Sequence, residues 1–294
     1  MKVRSGKGDY AFSVVTVIIL AVVTVTALYP LYFSLIASIS SPQAIYQGRV
    51  ILWPADITFD GYAKIFSDKT IWTGYFNGIL YTVAGTFANV AFTIPMAYAL
   101  SRKEFPFAGI YMKIMVFTMY FYGGIIQLYF VVRQLNLLDS MGAIVLPTLI
   151  STYNLIIARS YFIGSIPEEL KEAAFLDGCG YLKFFFQIAL PLSKSLIAVM
   201  VLFYAAKNWN SYFEPMIYLN TESKFPLQLV LRTILIDSQN ALSEADASTV
   251  ADRQQLVDLL KYGCVVVSSI PMLIFYPFVQ KHFVKGVMVG AVKG

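Results

Sequence analysis

Six separate stretches of the chain run for about 20 or more mainly apolar residues, and a helix rising about 1.5 Å per residue needs that length to cross a hydrocarbon core about 30 Å thick. They are Tyr10 to Ile36, Asn77 to Leu100, Ile110 to Val132, Ala143 to Ile163, Gln187 to Lys207 and Cys264 to Val284. Unpaired backbone groups in lipid are costly, and none of the stretches alternates as a barrel strand does, so the sequence predicts an all-α membrane protein with six transmembrane helices. Charged residues make up only 13% of the 294, whereas a soluble domain carries about a quarter. The mean hydropathy of +0.66 agrees. The net charge of +5 is scattered between the apolar runs, unlike the gathered basic face of a nucleic-acid binder.

Lysine and arginine set the orientation. Lys2, Arg4, Lys7, Arg102, Lys103, Lys113, Arg159, Lys171, Lys183, Lys194, Lys281, Lys285 and Lys293, thirteen of the 22 cations, fall on one side. The other nine, Arg49, Lys64, Lys69, Arg133, Lys207, Lys224, Arg232, Arg253 and Lys261, are spread over longer loops. The denser side belongs in the cytoplasm, which puts both termini inside and makes 38–76 and 208–263 external loops. The first apolar run is longer than the roughly 7–15 residues of a signal-peptide core and reads as a retained anchor. The chain reads as one membrane domain over 1–294.

No catalytic constellation stands out. The motifs H-E-x-x-H, G-x-S-x-G and G-x-x-x-x-G-K-[ST] are missing, so the chain is not expected to be an enzyme or to bind ATP itself. Cys179 and Cys264 lack disulfide or metal-ligand spacing and are expected to be reduced. His282 has no partner at ligand spacing, so no metal site is expected.

The connection between the fourth and fifth stretches, about 164–186, carries the most information. Pro167 suits the first turn of a helix, and Glu168, Glu169 and Glu172 put negative charge near its positive end. Asp177 precedes Gly178, which can take the positive φ that stops a helix. A second helical segment is expected to start near Tyr181, with Pro191 at the start of the fifth span. Ala173 and Ala174 leave one face smooth for close approach of a partner, while Glu172 offers a charge to a lysine or arginine.

The run Glu172-Ala173-Ala174, three residues, Gly178, nine residues, Ile188, one residue, Leu190-Pro191 matches without a gap the EAA motif of ABC importer permeases. In that family the loop is a coupling helix seated in a cleft of a cytoplasmic ATPase, and the resemblance implies that role for Glu168, Glu169, Glu172, Ala173, Ala174, Asp177 and Gly178. Three stretches resemble the carbohydrate-uptake branch and its maltose-permease G-type subunit: Ala97-Tyr98-Ala99-Leu100-Ser101-Arg102, Leu155 to Phe162, and Trp209-Asn210-Ser211-Tyr212-Phe213. The tail from Tyr276 to Gly294 resembles a subgroup associated with pectin- and alginate-type uronates. The resemblance implies a tail from Lys285 reaching between two ATPase subunits. It also implies a second homologous permease, a homodimeric ATPase carrying ATP and Mg, an extracytoplasmic solute-binding protein and a bacterial plasma membrane. No cofactor is expected on this chain.

Sugars present C–H faces to aromatic rings and hydroxyls to directional polar groups. On that chemistry Tyr120, Tyr122, Gln127, Tyr153, Asn154, Asn208, Trp209, Asn210 and Tyr212 are candidates for the substrate path. The same residues serve equally well as bonds between neighbouring helices. Arg159 reads as an anchor near the inner end of the fourth span, and Arg133 and Lys207 as anchors toward the outer ends. A permease for a peptide, amino acid or polyamine is the alternative reading. An ion-coupled transporter fits poorly, because no Asp or Glu sits at the centre of a span.

Overall fold

The computed structural model describes residues 7–243 and 250–291. Its elements, in chain order, are α1 (Lys7–Ala37), α2 (Pro42–Tyr46), α3 (Asp60–Ser67), α4 (Lys69–Ser101), α5 (Ala108–Tyr120), α6 (Ile125–Gln134) and α7 (Met141–Val145). A 3-10 turn, Leu146–Thr148, leads to α8 (Thr152–Ser165), α9 (Glu168–Leu176) and α10 (Tyr181–Phe184). One turn of π-helix, Phe185–Ala189, then leads to α11 (Leu190–Leu192), α12 (Lys194–Trp209), α13 (Phe213–Tyr218), α14 (Leu227–Ser243) and α15 (Val250–Ala291). The described residues form no strand, only an isolated bridge between Ser40 and Ile57. All-α is the class the sequence predicts.

Three helical stretches are long and apolar enough to cross a membrane unbroken, and three bent helix pairs bring the number to six when each pair is one span. The expectation of continuous third, fourth and fifth helices is therefore corrected. The third span bends by 114° between α5 and α6, the fourth by 52° between the 3-10 turn and α8, and the fifth by 78° at Ser193. Gly123 and Gly124 explain the first break, since Gly124 sits at φ +94°, which glycine alone adopts readily. At the third break Ser193 returns its hydroxyl to the Ala189 carbonyl at 2.8 Å, so the bend leaves that oxygen satisfied in the interior.

The described residues divide into two compact units, Met1–Lys69 with Leu231–Ser269 and Thr70–Val230 with Ile270–Gly294. In the first unit α1 is exposed along its spanning window, as a lipid-facing helix requires. Two of its hydroxyls are satisfied within the helix: Thr24 donates to the Leu20 carbonyl at 2.7 Å and Ser34 to the Pro30 carbonyl at 2.8 Å. Beside its end a small cluster of Ile36, Ala44 and Val50 forms. The start of α15 is tied to α2 by Tyr46 with Asp258 and by Gln43 to Gln255 at 2.8 Å.

In the second unit Ile94, Ala97 and Tyr98 of α4 pack with Leu155, Ala158 and Phe162 of α8, Phe184 and Phe185, and Leu196, Met200 and Tyr204 of α12. These side chains are each less than a tenth exposed, so this core holds the inner loop and three spans as one body. Of the carboxy-terminal tail from Lys285, residues 292–294 lie outside the described residues, as do the side chains of Lys285 to Ala291. His282 likewise has no described side chain.

Candidate functional site: an acidic loop helix and the broken spans

The connection after α8 folds as its residues dictate. Pro167 takes the position just before α9, one place earlier than the expected first turn, with φ −60° and ψ 148°. Glu168 and Glu169 fill the first turn, where the helix dipole favours carboxylates. Asp177 ends the helix, and Gly178 turns the chain at φ +75° into the short helix that begins at Tyr181. Phe175 and Tyr181 meet edge to face at 4.9 Å and staple the two short helices together.

Helical periodicity sorts the side chains of α9. Glu169, Glu172, Ala173 and Leu176 point outward, and Leu176 is 89% exposed. Glu168, Lys171 and Phe175 point inward, and Ala174 packs beside the core. Asp177 and Gly178 are exposed at the turn. The seven expected contact residues thus separate into an outward set, Glu169, Glu172, Ala173, Asp177 and Gly178, and two inward residues, Glu168 and Ala174. Leu176, absent from the sequence-based set, is the largest apolar side chain on that outward face.

Inside, Lys171 is 6% exposed and pairs with Glu104 and, at 2.9 Å, with Glu168. Its ammonium also lies 5.6 Å from the Phe175 ring centre and 5.9 Å from that of Tyr181. Burial works against its charge, but the bonds to Glu104 and Glu168 outweigh burial and hold its pKa above the ordinary lysine value. The bond from Lys171 is the chief reason Glu104 is held below its ordinary value. Arg102, just past α4, donates to the Phe162 carbonyl at 3.0 Å and stands 4.0 Å from Glu168. Arg159 answers from α8 with a 2.8 Å bond to the Leu100 carbonyl, so its anchoring is to protein. The loop helix is thereby clamped to the end of the second span by charge-assisted bonds.

The broken fourth span has its own polar support. Asn89, 1% exposed on α4, donates to the carbonyls of Thr148 and Leu149 at 3.0 and 2.8 Å. The Ser151 N–H donates to the Tyr204 hydroxyl at 3.1 Å, and that hydroxyl pairs with Thr93 at 2.7 Å. Irregular backbone at membrane depth requires such replacements for lost helix bonds. Asn208 donates to Asn89 at 3.0 Å and to Thr86 at 3.3 Å, and Lys207 reaches the Thr148 carbonyl at 3.4 Å. The sequence reading missed Asn89, Thr93 and Tyr204, although a buried asparagine within a span was the available signal.

The expected path residues part company here. Tyr120 and Tyr122 flank the first break and are exposed, as are Gln127 on α6 and Tyr153 at the start of α8. Asn154 is buried. Trp209 is buried beside Tyr75, and Gly78 leaves the room that lets its ring approach α4. Asn210 donates to the Ala206 carbonyl of its own helix at 2.8 Å, and Tyr212 is exposed beyond it.

Residues 70–289 match the family described as the inner membrane component of binding-protein-dependent transport systems. The chain belongs to that family. Among its relatives, the permease YtcP of the polygalacturonan/rhamnogalacturonan transport system of Bacillus subtilis is 40% identical over 90% of this chain and 92% of its own length. Protein LplC of the same bacterium is 36% identical over 98% and 97%. A crystal structure of a bacterial ABC transporter involved in importing the acidic polysaccharide alginate contains a chain 34% identical, with a TM-score of 0.81, covering 96% of this chain and all of that one. This inner membrane component is a multi-span helical permease of an ABC importer, and the ATPase is a separate subunit. Membership also brings a second permease and a solute-binding protein. Broken spans in such a permease show that helix breaks do not by themselves separate ion-coupled transporters from ATP-driven ones.

Proposed function

We propose that this permease forms half of the passage through which an ABC importer moves oligosaccharides into the cytoplasm, acidic uronate chains foremost. The observation that carries the sugar reading is the pairing of two similar proteins that handle acidic polysaccharides, a polygalacturonan/rhamnogalacturonan permease and an alginate importer, each matched over at least nine-tenths of this chain. The peptide, amino acid or polyamine alternative draws no support from these relatives.

In this reading α9 is the coupling helix. Glu169, Glu172, Ala173, Asp177 and Gly178 meet a homodimeric ATPase that holds ATP and Mg, while Glu168 and Ala174 work from the inward side. Exposed acids beside small alanines and Leu176 support that use, since they offer charge and a smooth apolar contact together. ATPase closure pulls α9, and the clamp through Lys171, Glu104 and Arg102 passes the movement to α4 and α8. Both termini lie in the cytoplasm, and the whole chain acts as one permease domain. Tyr120, Tyr122, Gln127, Tyr153 and Tyr212 are the exposed members of the path set, with Asn154, Asn208, Trp209 and Asn210 positioning the helices that carry them.

The test is reconstitution with the second permease, the ATPase and the solute-binding protein. Oligogalacturonate or oligoalginate is expected to stimulate ATP hydrolysis several-fold. Stimulation by peptides, amino acids or polyamines, with none by any oligosaccharide, would overturn the reading.

A further inference from the structure

Along α1 the side chains are exposed or partly exposed from Gly8 to Leu35, and then Ile36, Ala37 and Ser38 are buried. The helix leaves its lipid-facing stretch there and enters the small cluster with Ala44 and Val50. Asp9 is the last charged residue before Arg49. Tyr29 follows Asp9 by twenty residues, about 30 Å of helix, which is the thickness of a hydrocarbon core. Tyr29 and Tyr32 thus stand at the edge of the apolar slab.

The loop after α2 bends back to that level. Val50 is buried in the cluster and Ala55 packs against it, so both feet of the loop are fixed. The Ser41 N–H donates to the Ala55 and Asp56 carbonyls at 3.2 and 3.0 Å, and the Ala55 N–H donates to the Ser40 hydroxyl at 3.2 Å. Arg49 pairs with Asp56 across the mouth of the loop. Between these feet Ile51, Leu52 and Trp53 are 57%, 59% and 76% exposed. The Tyr29 hydroxyl donates to the Ile51 carbonyl at 3.2 Å, and the Tyr32 hydroxyl donates to the Leu52 carbonyl. These tyrosines lie seven and four residues before Ile36, so the tip reaches about 6–10 Å back along α1 from the cluster.

We propose that the Ile51-Leu52-Trp53 tip is a membrane-interface anchor, inserted into lipid beside the end of α1 and held at that depth by Tyr29 and Tyr32. Three adjoining apolar side chains, with the charges confined to the base of the loop, suit a lipid interface and are opposed by water. The backbone carries the same signature. Water would bond the tip carbonyls of an aqueous loop, whereas at the edge of lipid the protein must supply the donors, and the two tyrosines do. Tryptophan and tyrosine are also the side chains that favour headgroup depth. Continuity decides for lipid over a protein partner, because Leu31 and Leu35 on either side of Tyr32 are exposed on the helix to which the loop is tied. The anchor sets how deep this end of α1 stands in the bilayer. Its leaflet is the outer one in the orientation proposed above; the insertion itself requires only that α1 cross the membrane.

Spin labels on the complete importer in lipid nanodiscs test the anchor, with Leu52→Cys, Val25→Cys or Lys64→Cys introduced one at a time in a Cys179→Ser background. Cys264 is buried and stays. The tyrosines bond the Leu52 carbonyl and not its side chain, so the label leaves that bond in place. Oxygen, which concentrates in lipid, is expected to collide with the label at position 52 more often than a water-soluble nickel chelate does, as at position 25 within α1. The reverse is expected at position 64, which is exposed on α3. A preference for the chelate at position 52 overturns the proposal. Protection of that label from both probes also overturns it, since the second permease or the solute-binding protein would then cover the loop. Tyr29→Phe combined with Tyr32→Phe removes both bonds, and the ratio of oxygen to chelate collisions at position 52 is then expected to fall by about twofold or more. An unchanged ratio overturns the part given to the tyrosines.

Discussion

The guanidinium of Arg159 donates to the carbonyl of Leu100 at 2.8 Å across 59 residues of chain. Arg102 returns a 3.0 Å bond to the Phe162 carbonyl, so α4 and α8 each cap a carbonyl of the other near the inner loop. Helix ends expose carbonyls that need donors, and a cation there also meets the negative end of the dipole. Replacing Arg159 by Met is expected to cost about 1.5–3 kcal/mol, the range for hydrogen bonds to charged groups, and to lower the melting temperature in detergent. An unchanged melting temperature contradicts the capping role.

Lys171 makes the clamp a three-way contact, because it touches Glu104, Glu168 and two aromatic rings. Lys171→Met is expected to cost about 1 kcal/mol in stability, a modest figure because Glu104 is half-exposed, yet to reduce substrate-stimulated ATP hydrolysis several-fold. Adding Glu104→Gln removes the stranded carboxylate and is expected to restore stability but not coupling. Full stimulation in Lys171→Met would separate the clamp from transmission.

Gly178 stands at φ +75° with open space where a Cβ would lie. Only backbone strain opposes a side chain there, about 1–2 kcal/mol for most residues and less for Asn. Gly178→Asn is therefore expected to transport, whereas Gly178→Ile and Glu172→Lys are expected to insert in the membrane without substrate-stimulated ATP hydrolysis. Uptake assays on membranes with matched permease content decide this, and normal uptake by Gly178→Ile and Glu172→Lys counts against the coupling role.

Asn89 holds two carbonyls at the break of the fourth span. At about 0.6 and at most 1.7 kcal/mol for each interhelical bond in a membrane, Asn89→Leu is expected to cost about 1–3 kcal/mol. Asn208→Leu, which leaves both carbonyls bonded, is expected to cost less. The order of the two melting temperatures is the measurement, and a reversed order contradicts the supporting role given to Asn89.

Asp139 gathers Lys224 at 2.6 Å, the Thr221 hydroxyl at 2.7 Å and the backbone N–H groups of Asn220 and Thr221 at 3.0 Å. The Lys224 bond first, then those from Thr221 and Asn220, hold its pKa well below the usual carboxylate range. A depressed carboxylate stabilises the fold above its unfolded pKa, near 3.8, and that contribution disappears as pH falls through the lower folded value. Asp139→Asn is expected to melt below wild type at pH 7, with the gap narrowing steadily below pH about 4. A gap independent of pH contradicts this.

The sequence displays what is local. Apolar runs announce the six spans, and the acids before Gly178 announce a short helix and its stop, because each depends on neighbours a few residues apart. Gly123-Gly124 was a visible warning of the first bend, but an apolar run hides a break whose lost bonds are restored from elsewhere. The clamp was invisible for the same reason: Lys171 and Glu104 lie 67 residues apart, and Arg159 read equally well as a lipid anchor. Asn208 and Trp209 looked suited to sugar because amides and indoles serve helix packing and sugar stacking alike. Only the close approach of α4 at Gly78 and Gly85 tells which neighbour they have.

The most direct test places a cysteine at position 173 on the outward face of α9, in a Cys179→Ser background because Cys179 is partly exposed. In the assembled importer this thiol is expected to crosslink to the ATPase with a yield that changes between nucleotide-free and ATP-bound states. No crosslink in any state, together with labelling by a membrane-impermeant maleimide added outside intact cells, would contradict the account at its root.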